Sequence, residues 1–472
     1  MNPQIQPSPH GGRRAATASR AARGALCAAL ALAALPTACG DRPPVTAVPP
    51  QAPAAGDAPA AARPLSVVVV VLDTTRADRC APWDAGCTTS PRLAALAQES
   101  VTYREAWSPA GWTGPAHAAL FTGLRPPRNG FLESRRSMLP RSANTLAEVL
   151  QDAGRSTGCF TGNPVVCEEL GLLQGFSHAP RLVTNPALPS APAVHAAALE
   201  FAAASRAAGR PFFVFVNDFE PHITYDPPPG AADAFVPAAA DAATLRAARA
   251  FDHEDAMRHT LGITPADPRV LELLPALYAG EVAGADAQLG VFVDALRARG
   301  LLDDTLLIVC SDHGENLGEH GLWEHRFSMH RTICHVPLLV RFPDARDAGR
   351  VVDDVVRLED VFPTVLEACG LPLPAGLDGA SLLKPLGGRI ALGAYGPNTA
   401  LLAGLRQDVS GVDETVFHLE LRTAFDGRHH LIAERAGRTQ LFDVAADPDE
   451  LHDVAAELPE VVARLRALLD PW

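Results

Sequence analysis

Lysine is almost missing from this chain: Lys384 is the only one in 472 residues. Unless Lys384 reaches a site, any fixed positive charge there must come from arginine and any titratable one from histidine. Basic runs are absent beyond the first 25 residues, and the net charge is −14, which excludes a nucleic-acid backbone as partner. No internal repeat is found. No apolar stretch after the leader approaches the ~20 residues a membrane-spanning helix needs.

The leader has a recognisable layout. Arg13, Arg14, Arg20 and Arg23 precede a short apolar stretch, Ala25 to Leu35, followed by Pro36-Thr37-Ala38-Cys39-Gly40. This reads as an export signal over residues 1–39. Cys39 after small residues resembles a bacterial lipoprotein cleavage site, with Pro36 where Leu is usual; an ordinary secretory signal is the alternative. The expected location is the periplasm or cell envelope, with lipid at Cys39 as the membrane link. Residues 40–64, rich in Pro and Ala, read as an extended tether. Cys80 with Cys87, and Cys159 with Cys167, are close-spaced pairs that either close small loops in an oxidising compartment or stand as free thiols. Cys310, Cys334 and Cys369 read as small core residues.

From Leu65 the pattern changes. Val67–Leu72, Phe212–Val216, Leu306–Cys310 and Pro337–Phe342 are continuous apolar runs, as expected of strands buried on both faces. Helical stretches lie between them: Thr145–Ala153, Ala193–Ala208 and Gly280–Arg299. The alternation implies an α/β fold with a mostly parallel central sheet flanked by helices. The tail differs. Arg422–Glu434 and Thr439–Val444 read as a strand pair joined near Gly437, and Pro459–Leu469 as a closing helix, so a small antiparallel sheet with a helix is expected. The domain boundaries that follow are a catalytic domain over 65–375 and a C-terminal subdomain over 376–472.

Three of the four runs end in polar clusters: Asp73-Thr74-Thr75-Arg76, Asn217-Asp218-Phe219-Glu220-Pro221-His222, and Ser311-Asp312-His313-Gly314-Glu315. Ligands of open α/β sheets bind beyond the carboxyl ends of the strands. A lone Asp there is usually a turn or cap; three clusters together point to a shared metal site. A fourth segment, Trp112–Gly123, reads as a short helix with Thr113 at its N-cap and Gly123 at its stop. The positive end of that helix suits an anion or a developing alkoxide. Thr113 and His117, four apart, share one face.

These segments, in this order, resemble the sulfatase family of the alkaline phosphatase superfamily. Leu72–Asp78 resembles its first metal-binding strand, Trp112–Gly123 its nucleophile helix, and Asp312–Glu315 its second metal-binding segment. Gly318–His325 resembles the loop that follows, and Leu441–Glu450 the C-terminal hairpin. The resemblance implies an alkaline-phosphatase-like fold, an ester hydrolase activity, and one divalent metal bound by Asp73, Asp312, His313 and Thr113. By the same resemblance His222 and His325 contact the ester or protonate the leaving group. Arg76 and Asn163 are candidates for binding the anion or orienting other groups, against the plainer readings of an ion pair and a turn cap. His320 and His330 read as solvated loop residues.

The sequence departs from the family at the nucleophile. Most active sulfatases carry Cys or Ser in a Cys/Ser-x-Pro-x-Arg pattern, and that residue becomes formylglycine. Here the segment is Thr113-Gly114-Pro115-Ala116-His117, with His117 in place of Arg. A Thr nucleophile resembles the superfamily's phosphoryl and phosphoglycerol transferases, where the intermediate is a phospho-threonine. Thr74 stands where a second Asp is frequent, and the lysines that hold sulfate are missing. His313 among few carboxylates leans towards Mn or Zn, with Mg or Ca as alternatives. The expected substrate is a small-molecule, glycan or lipid ester of sulfuric or phosphoric acid. Two other readings remain: a transferase moving a phospho-group onto envelope glycan or lipid, and a non-catalytic binding protein that keeps the fold.

Overall fold

The computed structural model describes residues 64–132, 137–182, 191–397 and 414–471. The leader, Cys39 and nearly all of the tether lie outside them. Among the described residues fourteen strands follow in chain order: β1 Ser66–Leu72, β2 Val101–Trp107, β3 Ser156–Thr161, β4 Phe212–Asp218, β5 Thr305–Cys310, β6 Asn316–Leu317, β7 Trp323–Glu324, β8 His335–Val336, β9 Leu338–Arg341, β10 Val351–Arg357, β11 Ala391–Tyr395, β12 Leu421–Phe425, β13 His429–Glu434 and β14 Thr439–Asp443.

The main sheet runs β10-β2-β9-β5-β1-β4-β3, with β8 beside β2. β1 lies between β4 and β5, parallel to both, and β3 is parallel to β4. β10 is parallel to β2, while β9 is antiparallel to both β5 and β2. The sheet is thus mostly parallel; the run over Pro337–Phe342 supplies one reversed strand, and the short β8 is reversed as well.

The unbroken apolar runs have a direct cause. Val68, Val70 and Leu72 enter one core, with side chains of the helices Pro91–Ala97, Ala191–Ala207 and Leu274–Ala298. Val67, Val69 and Val71 enter the other, with the helices Thr113–Thr122, Leu146–Asp152 and Val361–Ala368. A strand covered on both faces has no polar side to alternate with. Thr145 caps the Leu146–Asp152 helix in a capping box with Glu148. Gly123 closes the Thr113–Thr122 helix in the left-handed region, φ 68°, where a side chain would be strained.

The second sheet, β11-β12-β13-β14, is wholly antiparallel and packs against the closing helix Pro459–Arg466. The stretch read as one strand, Arg422–Glu434, is instead a hairpin: β12 and β13 turn at Asp426-Gly427, where Gly427 has φ 96° and Asp426 Oδ1 accepts from Arg428 and His429. The seven described cysteines, both close-spaced pairs included, are free thiols. Among the described residues no helix is long and apolar enough to cross a membrane.

Asp286, buried on the Leu274–Ala298 helix, accepts from Arg92 N at 2.8 Å and Leu93 N at 2.7 Å, so it closes the N-terminus of the Pro91–Ala97 helix from a distant part of the chain. Asp286→Ala leaves both donors without that acceptor. The expected loss is about 1–3 kcal/mol, read as a lower urea midpoint.

Candidate active site

Because β3, β4, β1 and β5 are parallel neighbours, their carboxyl ends share one edge. Asp73 follows β1, Asn163 lies just past β3, Asn217 and Asp218 end β4, and Ser311-Asp312-His313 follow β5. Asp73, Asp312 and His313 are each at most 1% exposed, and one donor atom from each lies within 4.8 Å of the others.

The carboxylates are held from one side only. Asp73 Oδ2 accepts from Asn163 Nδ2 at 2.6 Å and from Asn217 Nδ2 at 3.4 Å. Asp312 Oδ1 accepts from Thr74 N at 3.2 Å and His313 N at 2.9 Å. Asp73 Oδ1 and Asp312 Oδ2 are buried and make no hydrogen bond. Burial, and then the charge of Asp312, push the Asp73 carboxyl well above the usual range. Two desolvated carboxyl groups with a bare oxygen each are poorly compensated by the protein alone, and a divalent cation supplies what they lack. His313 completes the set. Its Nδ1 donates to Gly314 O at 2.9 Å, so Nε2 carries the lone pair, 3.4 Å from Asp312 Oδ2. Gly314 is required there: a Cβ would meet Thr332 O at 2.0 Å.

Thr113 Oγ1 lies 3.4 Å from His313 Nε2. Trp112 is the N-cap, and Thr113 is the first helical residue, a correction to its reading as the cap. The shift leaves its hydroxyl uninvolved in capping. His117 donates from Nδ1 to Thr113 O at 2.8 Å, sits 3.6 Å from Asp312 Oδ2, and is fully buried against Phe121 and Phe215.

A second group of rings borders the first. His325 donates from Nδ1 towards Glu315 Oε1 at 2.9 Å and lies with its ring 4.6 Å from His313 and 5.2 Å from His222. His222 donates from Nδ1 to Ile223 O at 2.8 Å and stacks on Phe219. Both retain Nε2 as the free nitrogen. Burial first, then neighbouring imidazoles, holds both well below the usual histidine range.

Two residues of this group were not singled out in the sequence. His253 opens the His253–Thr260 helix, with its ring 4.8 Å from His222 and Nδ1 2.7 Å from Glu324 Oε2. Nothing in its surroundings in the sequence marks it. Arg326 pairs with Glu324 and lies over the Trp112 ring at 5.6 Å. Its place directly after His325, in a chain nearly without lysine, was a usable signal. Arg76 is in a different situation. Its guanidinium bonds Asp78 twice, Glu319 and Glu315 O, at 2.7–3.0 Å, so it ties the edge together and has little left for an anion. Asn163 orients Asp73, as noted. His330, read as solvated, is buried and bonded to Glu450 at 2.9 Å.

The sulfatase family model matches residues 66–371, the span that contains every one of the donors above. The chain belongs to the sulfatase family. Among relatives, arylsulfatase K of Bos taurus is 37% identical over 193 residues, 40% of this chain and 35% of the relative, so the match spans about a third of that protein. Among solved structures, phosphonate monoester hydrolase of Agrobacterium radiobacter is 25% identical with a TM-score of 0.66, covering 86% of this chain and 94% of that chain. The phosphonate monoester hydrolase of Silicibacter pomeroyi, at 20% identity and TM-score 0.64 over 86% and 93%, shares the fold.

Asn163→Ala removes the 2.6 Å donor that sets the Asp73 carboxylate. Affinity for added divalent cation, followed by calorimetry on the purified chain, is expected to fall about 10–100-fold.

Proposed function

We propose that this protein is an exported, metal-dependent hydrolase of phosphoric or phosphonic esters in which Thr113 is the nucleophile. The observation that carries the reading is the position of Thr113 Oγ1, 3.4 Å from His313 Nε2, beside two buried carboxylates that each keep a bare oxygen. Asp73, Asp312, His313 and Thr113 would hold the cation, which supplies a lowered hydroxyl pKa and charge neutralisation on the transferred group. The mixed nitrogen and oxygen donors favour Mn or Zn.

The residues divide the remaining work. Thr113 Oγ attacks phosphorus and the bond to the leaving oxygen breaks, with the N-terminal end of the Thr113–Thr122 helix behind the developing charge. His222 or His325, protonated in the presence of the anionic ester, gives its Nε2 proton to the leaving oxygen. The imidazole left neutral then takes a proton from water, which attacks phosphorus of the phospho-threonine; the bond from phosphorus to Thr113 Oγ breaks, and Oγ leaves as the alkoxide that the next turnover uses. His117 and Asn163 act as positioning residues, the first on the backbone of Thr113 and the second on Asp73. Arg326, paired with Glu324, brings a permanent guanidinium charge to the edge of the imidazole group.

Chemistry favours phosphorus over sulfur. An aldehyde hydrate can expel sulfate without a second attack at sulfur, but the secondary alcohol of threonine cannot become an aldehyde. A sulfo-threonine would have to be cleaved at sulfur, whereas phospho-threonine is cleaved by ordinary attack at phosphorus. The likeness to a phosphonate monoester hydrolase supports the same preference. The leader, with Cys39 as its candidate acylation site, supports an envelope location, and the domain limits 65–375 and 376–472 are carried with the proposal.

Assay of nitrophenyl phosphate diesters, a phosphonate monoester, a phosphate monoester and an aryl sulfate is the direct test. Phosphorus esters are expected to turn over at least ~10²-fold faster than the sulfate; turnover of the sulfate alone defeats the preference. Thr113→Ala is expected to lower kcat by ~10⁴ or more while the fold and metal content persist, and Asp312→Ala to lose the metal as well. His325→Ala and His222→Ala are expected to slow alkyl esters about 10²-fold and nitrophenyl esters much less, since nitrophenolate leaves without a proton.

A further inference from the structure

Away from this site, three side chains from separate parts of the chain converge at the junction of the two sheets. His320 lies in the turn between β6 and β7, His330 precedes the short helix Arg331–Cys334, and Glu450 follows β14. One donor atom from each lies within 4.8 Å of the others. His330 Nδ1 donates to Glu450 Oε2 at 2.9 Å, and the rings of His320 and His330 stack at 3.7 Å. Arg331 N also donates to Glu450 Oε2, at 2.9 Å. Glu450 Oε1 accepts from His430 Nδ1 on β13, and His430 is held in turn by Thr423 Oγ1 on β12. The carboxylate is therefore fixed from behind by a hydrogen-bonded imidazole, the arrangement that orients ligands in metal sites. His330 and Glu450 are buried and His320 is exposed, so two donors are preset and the third stands at the entrance. His320 and Glu450 both occupy left-handed backbone, φ 57° and 55°, which is uncommon for such residues and collects at ligand-binding positions.

We infer that His320, His330 and Glu450 form a second divalent-cation site, suited to zinc, that joins the loop carrying His325 to the C-terminal sheet. Two imidazoles and a carboxylate are a common zinc donor set with one position left for water. Donors around tetrahedral zinc, bonded at about 2.0–2.1 Å, lie about 3.3 Å apart. The donors lie within 4.8 Å of one another, and closing to this spacing requires the exposed His320 ring to turn out of its stack on His330. A cation seated among the three replaces the His330 hydrogen bond to Glu450, and the imidazole proton moves from Nδ1 to Nε2, so no net proton is released. Bound there, the cation restrains Gly318–His330, the segment that presents His325 to the active site.

The test counts zinc on the intact chain after saturation and gel filtration. His320→Asn removes the exposed ligand, and Asn tolerates the left-handed backbone, so the fold is expected to hold. The wild-type chain is expected to retain about one zinc more than His320→Asn, and Asp312→Asn to retain about one that the double variant lacks. Cobalt added to Asp312→Asn is expected to give the visible bands of a four-coordinate nitrogen and oxygen site, absent from the double variant. Equal zinc retention by wild-type and His320→Asn chains of native circular dichroism overturns the proposal. The readout is a difference at His320, so it stands whether or not Thr113 is the nucleophile or the first site takes zinc.

Discussion

Asp73 and Asp312 leave adjacent parallel strands at the same edge and bury their carboxylates near one another, each with one oxygen that no protein donor reaches. Such a pair is costly unless something positive lies between the two groups. The surroundings fit that demand. Asn163, Asn217, Thr74 N and His313 N occupy one oxygen of each carboxylate and leave the other bare. His313 presents its lone pair there because a backbone carbonyl fixes its tautomer. Thr113 then has a reason to lie beside it, and the helix it opens is anchored in the same core as alternate residues of β1.

The second feature of the site is its ring of imidazoles. His222, His253, His313 and His325 lie within 4.6–6.1 Å of at least one other member. Burial and mutual repulsion disfavour protonation of His222 and His325 when no anion is present. On the proposed reaction an anionic ester would reverse that balance, so the acid form would be assembled by the substrate that consumes it. In a chain with a single lysine, whose amine pairs with Glu367 elsewhere, this gives the site positive charge on demand, with Arg326 as the permanent part.

Much of this was legible in the sequence because burial on both faces of a strand and a polar cluster at its end are local patterns. Val67–Leu72 with Asp73, and Leu306–Cys310 with Asp312 and His313, need no long-range knowledge to be read. What escaped detection depends on partners far away in the chain. The direction of Leu338–Arg341 is set by its neighbours β2 and β5, and an apolar run carries no sign of direction. Arg422–Glu434 reads as one strand because Thr423-Ala424-Phe425 and Leu431-Ile432-Ala433 are both strand-like, although Asp426-Gly427 between them is a turn signal and the span is too long for one strand. His330 looked solvated because its partner, Glu450, is 120 residues away. Thr113 was read one position early because Ser, Thr and Asp are the usual caps, whereas Trp112 takes that place with no side-chain bond at all.

Trp107 stacks on Phe425 at 4.0 Å and Trp112 on Tyr395 at 5.5 Å, within a cluster that also takes in Phe327, Met329 and Phe442. The indole next to Thr113 therefore rests on the β11–β14 sheet, and so does the strand leading into the Thr113–Thr122 helix. A shortened chain ending near residue 375 would bare these aromatic faces to water and loosen the segment that carries the Thr113 hydroxyl. The last hundred residues thus behave as a foundation poured after the building it supports: the segment around Thr113 is synthesised first and gains its backing only when the tail folds beneath it.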